Sequence, residues 1–417
     1  MERQACGKGE AASSTGLHHG AFMVTDPAIE RLGKLVTPLS PAAFLDGLSD
    51  GRFIHMPGEP DFERVGLLGD DPTELLIGAW ESVASKLGFH AVTASGPPPA
   101  VGPATSKEDF RNRIRLFHER GYSVRFPDLR PFAPAVDRMA RALEKLVHQP
   151  VTVGAFWSKS GLRAPVHFDD RDTIAVQIIG EKPWHISGGL SPLRTNQMIM
   201  ADEAVAAVPD PVQLTMKTGD ALYVPRGLAH TVDGQEESLH ISFMFSPVTV
   251  GDAAEAVLDE LTSADRATRE TIGGDWRAQL ARGDPRDLVP AILQAVARLQ
   301  NAASAPEFVQ AALRNRSARA IRGMEPLRPA PHPKIGLGTP LKQSDGALSV
   351  MVPGDKVIEL NYPGGKIYIH RGVEQALAFM VEQPEFRLAE VPGGLPAEVR
   401  VALAEKLLSI GYLTVGG

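Results

Sequence analysis

Residues 238–245 read Ser-Leu-His-Ile-Ser-Phe-Met-Phe. Successive side chains of a strand point to opposite faces. Leu239, Ile241, Phe243 and Phe245 therefore share one face, and His240, Ser242 and Met244 the other. Working backwards, similar short runs occur at Val151–Trp157, Thr173–Ile179, Lys182–Ile186, Gln213–Met216 and Ala221–Val224. Gly, Pro and Asp turns separate them. Many short strands at this spacing predict a double-sheet barrel or jelly roll.

Outside 150–247 the pattern changes. Pro41–Leu48 suits a short amphipathic helix, and Phe53–Pro57 a short strand ended by proline. A helical pattern around Leu75, Leu76, Ala79 and Trp80 breaks near Gly88, and a Gly/Pro loop follows from Ser95 to Pro103. Residues 122–126 suit a strand. Val136, Met139, Ala140, Leu143 and Leu146 fall at helical spacing and predict a helix over about 134–147. From about 250 to 325 the chain reads as helical, with Leu258, Leu261, Ile292, Leu293, Val296, Leu299 and Leu313 as its expected buried face. Pro326–Pro333 reads as a stiff, extended linker. The final module shows strands at Val357–Leu360 and Lys366–His370, helices near 372–382 and 397–410, and a closing Tyr412–Val415 run. The expected division is a mobile tail over 1–35, a catalytic domain over 36–249, a helical region over 250–328 and a C-terminal module over 329–417.

Composition narrows the function classes. The 417 residues are 43% hydrophobic and 22% charged, which excludes a wholly disordered chain. A net charge of −7 argues against a global grip on nucleic acid or anionic lipid. Cys6 is the one cysteine, so neither an internal disulfide nor a Cys-rich zinc module can form. His18 and His19, adjacent in the tail, read as solvated. No run is long and apolar enough to span a bilayer, and the first residues lack a signal-type apolar core. A cytoplasmic protein is expected.

The chemistry centres on His167-Phe-Asp169, with His230 beyond a Pro-Arg-Gly turn. Residues two apart on a strand share a face, so His167 and Asp169 can project together, and a neighbouring strand can bring His230 alongside. Two imidazoles and a carboxylate leave coordination positions open, the arrangement of non-haem Fe(II) oxygenases. The triplet alone is weak, since His-x-Asp arises by chance on the order of once in a chain with this many histidines. Lys182, 15 residues after His167, adds weight. An ammonium among apolar neighbours needs a partner, and a dicarboxylate co-substrate would supply one. Ser158 and Thr173 offer hydroxyls for the same carboxylate. Asp170 and Arg171 adjoin the triad, His240 is a candidate supporting residue on the last strand, and Trp184 is expected to pack inside the barrel.

Four stretches carry a resemblance: His167-Phe-Asp-Asp170, Gln177-Ile-Ile-Gly-Glu-Lys-Pro-Trp184, Thr218-Gly-Asp-Ala-Leu-Tyr-Val-Pro-Arg-Gly-Leu-Ala-His230 and Ser238-Leu-His-Ile-Ser-Phe243. Over about 120–247 the chain resembles the JmjC-type cupin oxygenases, within them the ribosomal-oxygenase branch that hydroxylates protein side chains. The resemblance implies a mainly β fold with α elements: a double-stranded β-helix core, a helical dimerisation region and a winged-helix-like C-terminal module. It implies Fe(II) held by His167, Asp169 and His230, and 2-oxoglutarate held by Lys182. The implied reaction hydroxylates a side chain of a protein or peptide, a ribosomal protein first among the candidates, and releases succinate and CO2. The strand Gly154-Ala-Phe-Trp-Ser158 lacks the asparagine and tyrosine often found there.

Two other functions stay open on the sequence: a metal-binding cupin without oxygenase activity, serving as isomerase or sensor, and a JmjC-type demethylase. Residues 331–417 hold 8 basic and 9 acidic residues, which argues against a duplex-binding wing. Arg314–Arg328, with five arginines, reads as a solvated helix face. A homodimer is expected.

Overall fold

The computed structural model describes residues 27–416 apart from 86, 92–102, 160–161, 195–197, 200–207, 209, 235, 273–274 and 284–287. Cys6, His18, His19 and most of the Ser95–Pro103 loop lie outside the described residues. The first half runs α1 (Pro27–Val36), α2 (Pro41–Gly47), β1 (Ile54–Met56), α3 (Pro72–Gly78), α4 (Trp80–Val83), β2 (Gly88–Ala91), α5 (Lys107–Glu119), β3 (Tyr122–Phe126) and α6 (Pro134–Val147). Residues 27–35, expected to belong to a mobile tail, are helical instead. Leu32, Leu35 and Val36 are fully buried on one face of α1, which packs on α6. The 3-to-4 spacing of those residues and Pro27 at the first helical position explain the helix.

Strands β4 (Thr152–Ser158), β5 (Leu162–Arg163), β6 (His167–Phe168), β7 (Asp172–Ile179), β8 (Lys182–Ser187), β9 (Met198–Ile199), β10 (Pro211–Met216), β11 (Ala221–Val224), β12 (His230–Gly234) and β13 (Ser238–Phe245) follow. They form two antiparallel sheets. One has seven strands in the order β1-β11-β7-β13-β4-β3-β2, and the other six in the order β10-β8-β12-β6-β9, with β5 beside β12. Sequence neighbours such as β7 and β8 lie in different sheets, the crossing pattern of a jelly roll. The expected double-sheet, cupin-like core is therefore present.

The two faces of the larger sheet differ. On the outer face Val153, Ala155, Trp157, Ile174, Val176, Leu239, Ile241, Phe243 and Phe245 merge with side chains from α1, α2, α5 and α6 into one core. Each large side chain so buried contributes about 1.5–3 kcal/mol. Arg64 fixes the entry to this layer. It is fully buried and donates to the carbonyls of Leu35, Thr37, Met56, Pro57 and Gly219, which come from three separate segments. Gly219 tolerates this crowding because its φ is +99° and a Cβ would sit 2.3 Å from the Glu59 carbonyl oxygen.

Helices α7 (Val250–Ala264), α8 (Trp276–Ala281), α9 (Val289–Ala303) and α10 (Pro306–Arg322) follow. The expected buried face is corrected here. Leu261 is buried and Leu299 and Leu313 are partly covered by the seam of α7, α9 and α10, but Leu258 is exposed, and Ile292, Leu293 and Val296 are 55%, 61% and 53% exposed. With Val289 these last three repeat every three to four residues along the outer side of α9. The helix thus carries apolar residues on two sides, and the bundle covers one.

The C-terminal module has β14 (Pro340–Gln343), β15 (Val350–Pro353), β16 (Val357–Tyr362), β17 (Gly365–His370), α11 (Glu374–Glu382), β18 (Glu385–Arg387), α12 (Ala397–Ser409) and β19 (Leu413–Val415). Its two three-stranded sheets and two helices enclose their own core around Leu341, Leu360, Leu377 and Leu407. The Pro326–Pro333 segment is irregular, as read, but its start is tied down: Arg141 donates to the carbonyls of Glu325 and Pro326. Among the described residues no helix is long and apolar enough to cross a membrane.

Candidate active site

His167 opens β6 and His230 opens β12, and the two residues pair directly across the smaller sheet. Their ring centroids lie 4.3 Å apart. Asp169 follows β6, with its Oδ2 3.9 Å from His230 Nε2. One ligand atom from each of His167, Asp169 and His230 lies within 4.8 Å of the others. The Pro-Arg-Gly turn holds this geometry, since the Gly227 amide donates to the Asp169 carbonyl at 2.8 Å.

The histidines are oriented from behind. His167 Nδ1 lies 2.9 Å from the Pro165 carbonyl oxygen and His230 Nδ1 3.0 Å from that of Leu228. A carbonyl only accepts, so each Nδ1 carries the proton and each Nε2 keeps a lone pair, as a metal ligand requires. Burial, reinforced by the neighbouring His167, pushes His230 down to about 4, which keeps it neutral. The donor set and its protonation fit a divalent iron.

Lys182 begins β8 after a tight turn at Gly180, whose φ is +68°. Its side chain is 1% exposed, and its Nζ donates to His240 Nδ1, 2.9 Å away on the opposite sheet. No carboxylate pairs with it among the described residues, and burial pushes its ammonium down to about 7. His240 lies well below its ordinary range, chiefly from burial and then from Lys182. Its ring stacks on Phe156 at 4.9 Å. Trp184 stacks on His230 at 5.5 Å and meets His240 edge-on at 6.0 Å, so it packs between the sheets as expected and also joins the two ends of the site.

Further polar atoms on these walls are buried with no partner: Thr173 Oγ1, Gln177 Oε1, Trp184 Nε1 and Ser238 Oγ. Such orphans are costly unless a ligand or water meets them. Ser158 is buried on the same wall but shares a hydrogen bond with Ser123 (2.9 Å). Thr173 is not brought to Lys182. Gln177 is the β7 residue opposite His240, and Thr173 lies opposite Met244, four residues or about 13 Å along the strand. Arg171 and Asp170 sit on the rim, with Arg171 donating to Thr152 Oγ1 at 2.8 Å.

Two supports were not singled out from the sequence. Asp172, fully buried, accepts from Tyr223 Oη (2.7 Å) and from the backbone and guanidinium of Arg226 (both 3.1 Å). Burial and that carboxylate raise the Tyr223 phenol, so it remains a donor. The second support is Gln177, which donates to the Ile179 carbonyl. Its inward position was readable from strand alternation.

Residues 129–253 match the JmjC domain family. The two-sheet, cupin-like core thus contains a stretch that is similar to a JmjC domain. Ribosomal oxygenase 2 of Bos taurus is 26% identical over 125 residues, covering 30% of this chain and 27% of that protein. The bifunctional lysine-specific demethylase and histidyl-hydroxylase NO66 of Culex quinquefasciatus is 28% identical over 192 residues, covering 42% of this chain and 27% of that one. The matches thus span about a quarter of those relatives' length. Among solved structures, Escherichia coli YcfD aligns with TM-score 0.54 at 15% identity, covering 91% of this chain and 98% of that one. YcfD, described as a ribosomal oxygenase, has also been solved with cobalt and 2-oxoglutarate (TM-score 0.52, 15% identity, 91% and 99% covered). Within its class the chain is thus similar to the ribosomal oxygenases.

Proposed function

We propose that the protein is an Fe(II)- and 2-oxoglutarate-dependent oxygenase that hydroxylates an amino-acid side chain of a protein or peptide. One observation carries this reading: Trp184 joins His230 of the His/Asp/His set to His240, the partner of a buried lysine that meets no carboxylate among the described residues. His167, Asp169 and His230 would hold iron and leave positions open for the co-substrate. Lys182 would take the far carboxylate of 2-oxoglutarate, with His240 aiming its Nζ. Iron, when bound, would let dioxygen oxidise 2-oxoglutarate to succinate and CO2 and a substrate C–H to C–OH, one oxygen atom going into each product. Trp184 and Phe156 keep water from the pocket, and the Pro165 and Leu228 carbonyls hold the imidazole protons away from the metal side.

The similarity to ribosomal oxygenases supports a ribosomal protein as the first substrate to try. The relatives include a protein described as both demethylase and hydroxylase, so demethylation is the second reading. A cupin serving as isomerase or sensor would have no need of Lys182. The exposed stripe on α9 supports 250–328 as a homodimer surface. The β16–β17 hairpin beside α11 and α12 supports a winged-helix-like module over 329–417, and its charge balance favours a protein contact over nucleic acid. A cytoplasmic setting suits the single cysteine.

The test is succinate formation from 2-oxoglutarate by purified protein with Fe(II) and ascorbate, with and without ribosomal protein, beside His167→Ala. Iron-dependent turnover that the substitution abolishes is expected. Mass spectrometry of the substrate separates the readings: hydroxylation adds one oxygen, and demethylation removes a methyl as formaldehyde. No turnover together with no calorimetric 2-oxoglutarate binding defeats the proposal.

A further inference from the structure

Arg125 is the residue of this pocket that nothing so far explains. It lies on β3 directly opposite Phe156, which lies directly opposite His240. Residues opposed in this way share a face, so Arg125, Phe156 and His240 form one row on the inner wall. The guanidinium sits over the Phe156 ring, 5.8 Å from its centroid. It makes no hydrogen bond or ion pair among the described residues, and its Nε–H is buried without an acceptor.

Arg125 is half-buried, and arginines buried more deeply are treated differently. Arg64 is met by five carbonyls. Arg130 is met by Asp137, Glu144 and the Val151 carbonyl. Arg226 is met by Asp172. Arg226 also leaves its Nε–H without an acceptor, but Arg125 alone of these four makes no hydrogen bond among the described residues. Arg171, close enough to be felt, adds a second positive charge, and the acidic group that Arg125 feels is Asp169, a member of the candidate metal set. Two guanidinium groups thus stand near Asp169 of the candidate metal set. A guanidinium offers a planar fork of donors that matches a carboxylate.

We propose that Arg125 is a specificity-determining residue: its guanidinium takes a carboxylate of the substrate, so the preferred substrate carries an acidic group beside the carbon to be hydroxylated. This rests on the oxygenase reading above and narrows its substrate class. The carboxylate can belong to an acidic side chain in a peptide or to a free amino acid, and the two sources are separable.

The experiment uses the full chain loaded with Mn(II), a redox-silent substitute for iron, and N-oxalylglycine in place of 2-oxoglutarate. The probes are the N-acetyl amides of Asp, Glu, Asn, Gln and Lys, together with free aspartate. Binding is read from paramagnetic broadening of the probe's NMR lines by Mn(II). The acidic probes are expected to bind at least about tenfold more tightly than their neutral amides, the scale of one charge-assisted hydrogen bond. Arg125→Gln should bring the two within about twofold, and Arg125→Lys should keep only part of the preference, since the charge survives but the fork is lost. Free aspartate matching the capped probe assigns the carboxylate to a small molecule, and a capped probe that binds better assigns it to a peptide. Equal binding of acidic and neutral probes, or a preference that persists in Arg125→Gln, overturns the proposal while leaving the oxygenase reading intact. If the native chain binds neither Mn(II) nor N-oxalylglycine, the oxygenase reading falls and takes this proposal with it.

Discussion

The seven-stranded sheet has two buried faces built from the same strands, and they could hardly differ more. Its outer face is Val, Ala, Ile, Leu and Phe packed against helices, with a satisfied arginine at its edge. Its inner face carries Arg125, Ser158, Thr173, Gln177, Ser238 and His240, and several of their polar atoms lack partners. Both are largely hidden from solvent. The outer face lowers the free energy of the fold, whereas the unpartnered polar atoms of the inner face raise it and stay available for something else. Exposure alone would not separate them. Hydrogen-bond accounting does.

The sharpest way to break this contrast is at the metal set. His167→Ala is expected to reduce iron-dependent succinate formation below detection, while the metal-free melting temperature stays within a few degrees of native, as differential scanning fluorimetry would show. A large drop in melting temperature would mean that the inner face also carries the fold. On the outer face, Phe243→Ala should cost about 3–5 kcal/mol in urea unfolding, yet leave N-oxalylglycine affinity unchanged per folded molecule. Lys182→Met tests the inner face from both sides. N-oxalylglycine binding, followed by calorimetry, should weaken about 10- to 100-fold. Stability should move the other way. Lys182 is held at about 7 in the fold, against about 10.4 unfolded. Between those values the unfolded chain binds more protons, so native stability rises with pH across that window. Lys182→Met lacks this slope, so its gain in melting temperature should be larger at pH 7 than at pH 10. The smallest effect is at Thr173, whose buried hydroxyl has no partner. Thr173→Val should gain up to about 1 kcal/mol in urea unfolding and leave N-oxalylglycine affinity within about twofold, since it stands about 13 Å along the strand from Gln177.

Much of the strand framework was readable because its elements obey period two: β13 holds the expected alternation from Leu239 to Phe245, and β11 spans the expected Ala221–Val224. The juxtaposition of the candidate metal set was readable because His-x-Asp can keep both side chains on one face, and the structure brings His230 near them. Helix α5 was not anticipated: its many charges hide Phe110, Ile114 and Phe117, whose 4-to-3 spacing marks the buried stripe. The outward stripe of α9 was misassigned because periodicity shows that a face is apolar without showing what covers it. Thr173 was placed too near Lys182 because closeness in sequence says nothing of distance along a strand. Arg125 escaped notice because an arginine in a strand reads as solvated until its neighbours are known, although Tyr122, Val124 and Phe126 already put it on the other face.

The contacts of Arg64 bear on how the molecule opens. Its guanidinium joins the end of α1, the strand β1 and the turn before β11 through carbonyls alone, and burial has already pushed it down to about 10. Lifting α1 away would strand a buried cation with its acceptors gone, so α1 cannot fray independently as chain ends ordinarily do. In native-state hydrogen exchange the amides of α1 and β11 should therefore behave as one cooperative unit. Helix α1 is, in that sense, a closing piece of the barrel.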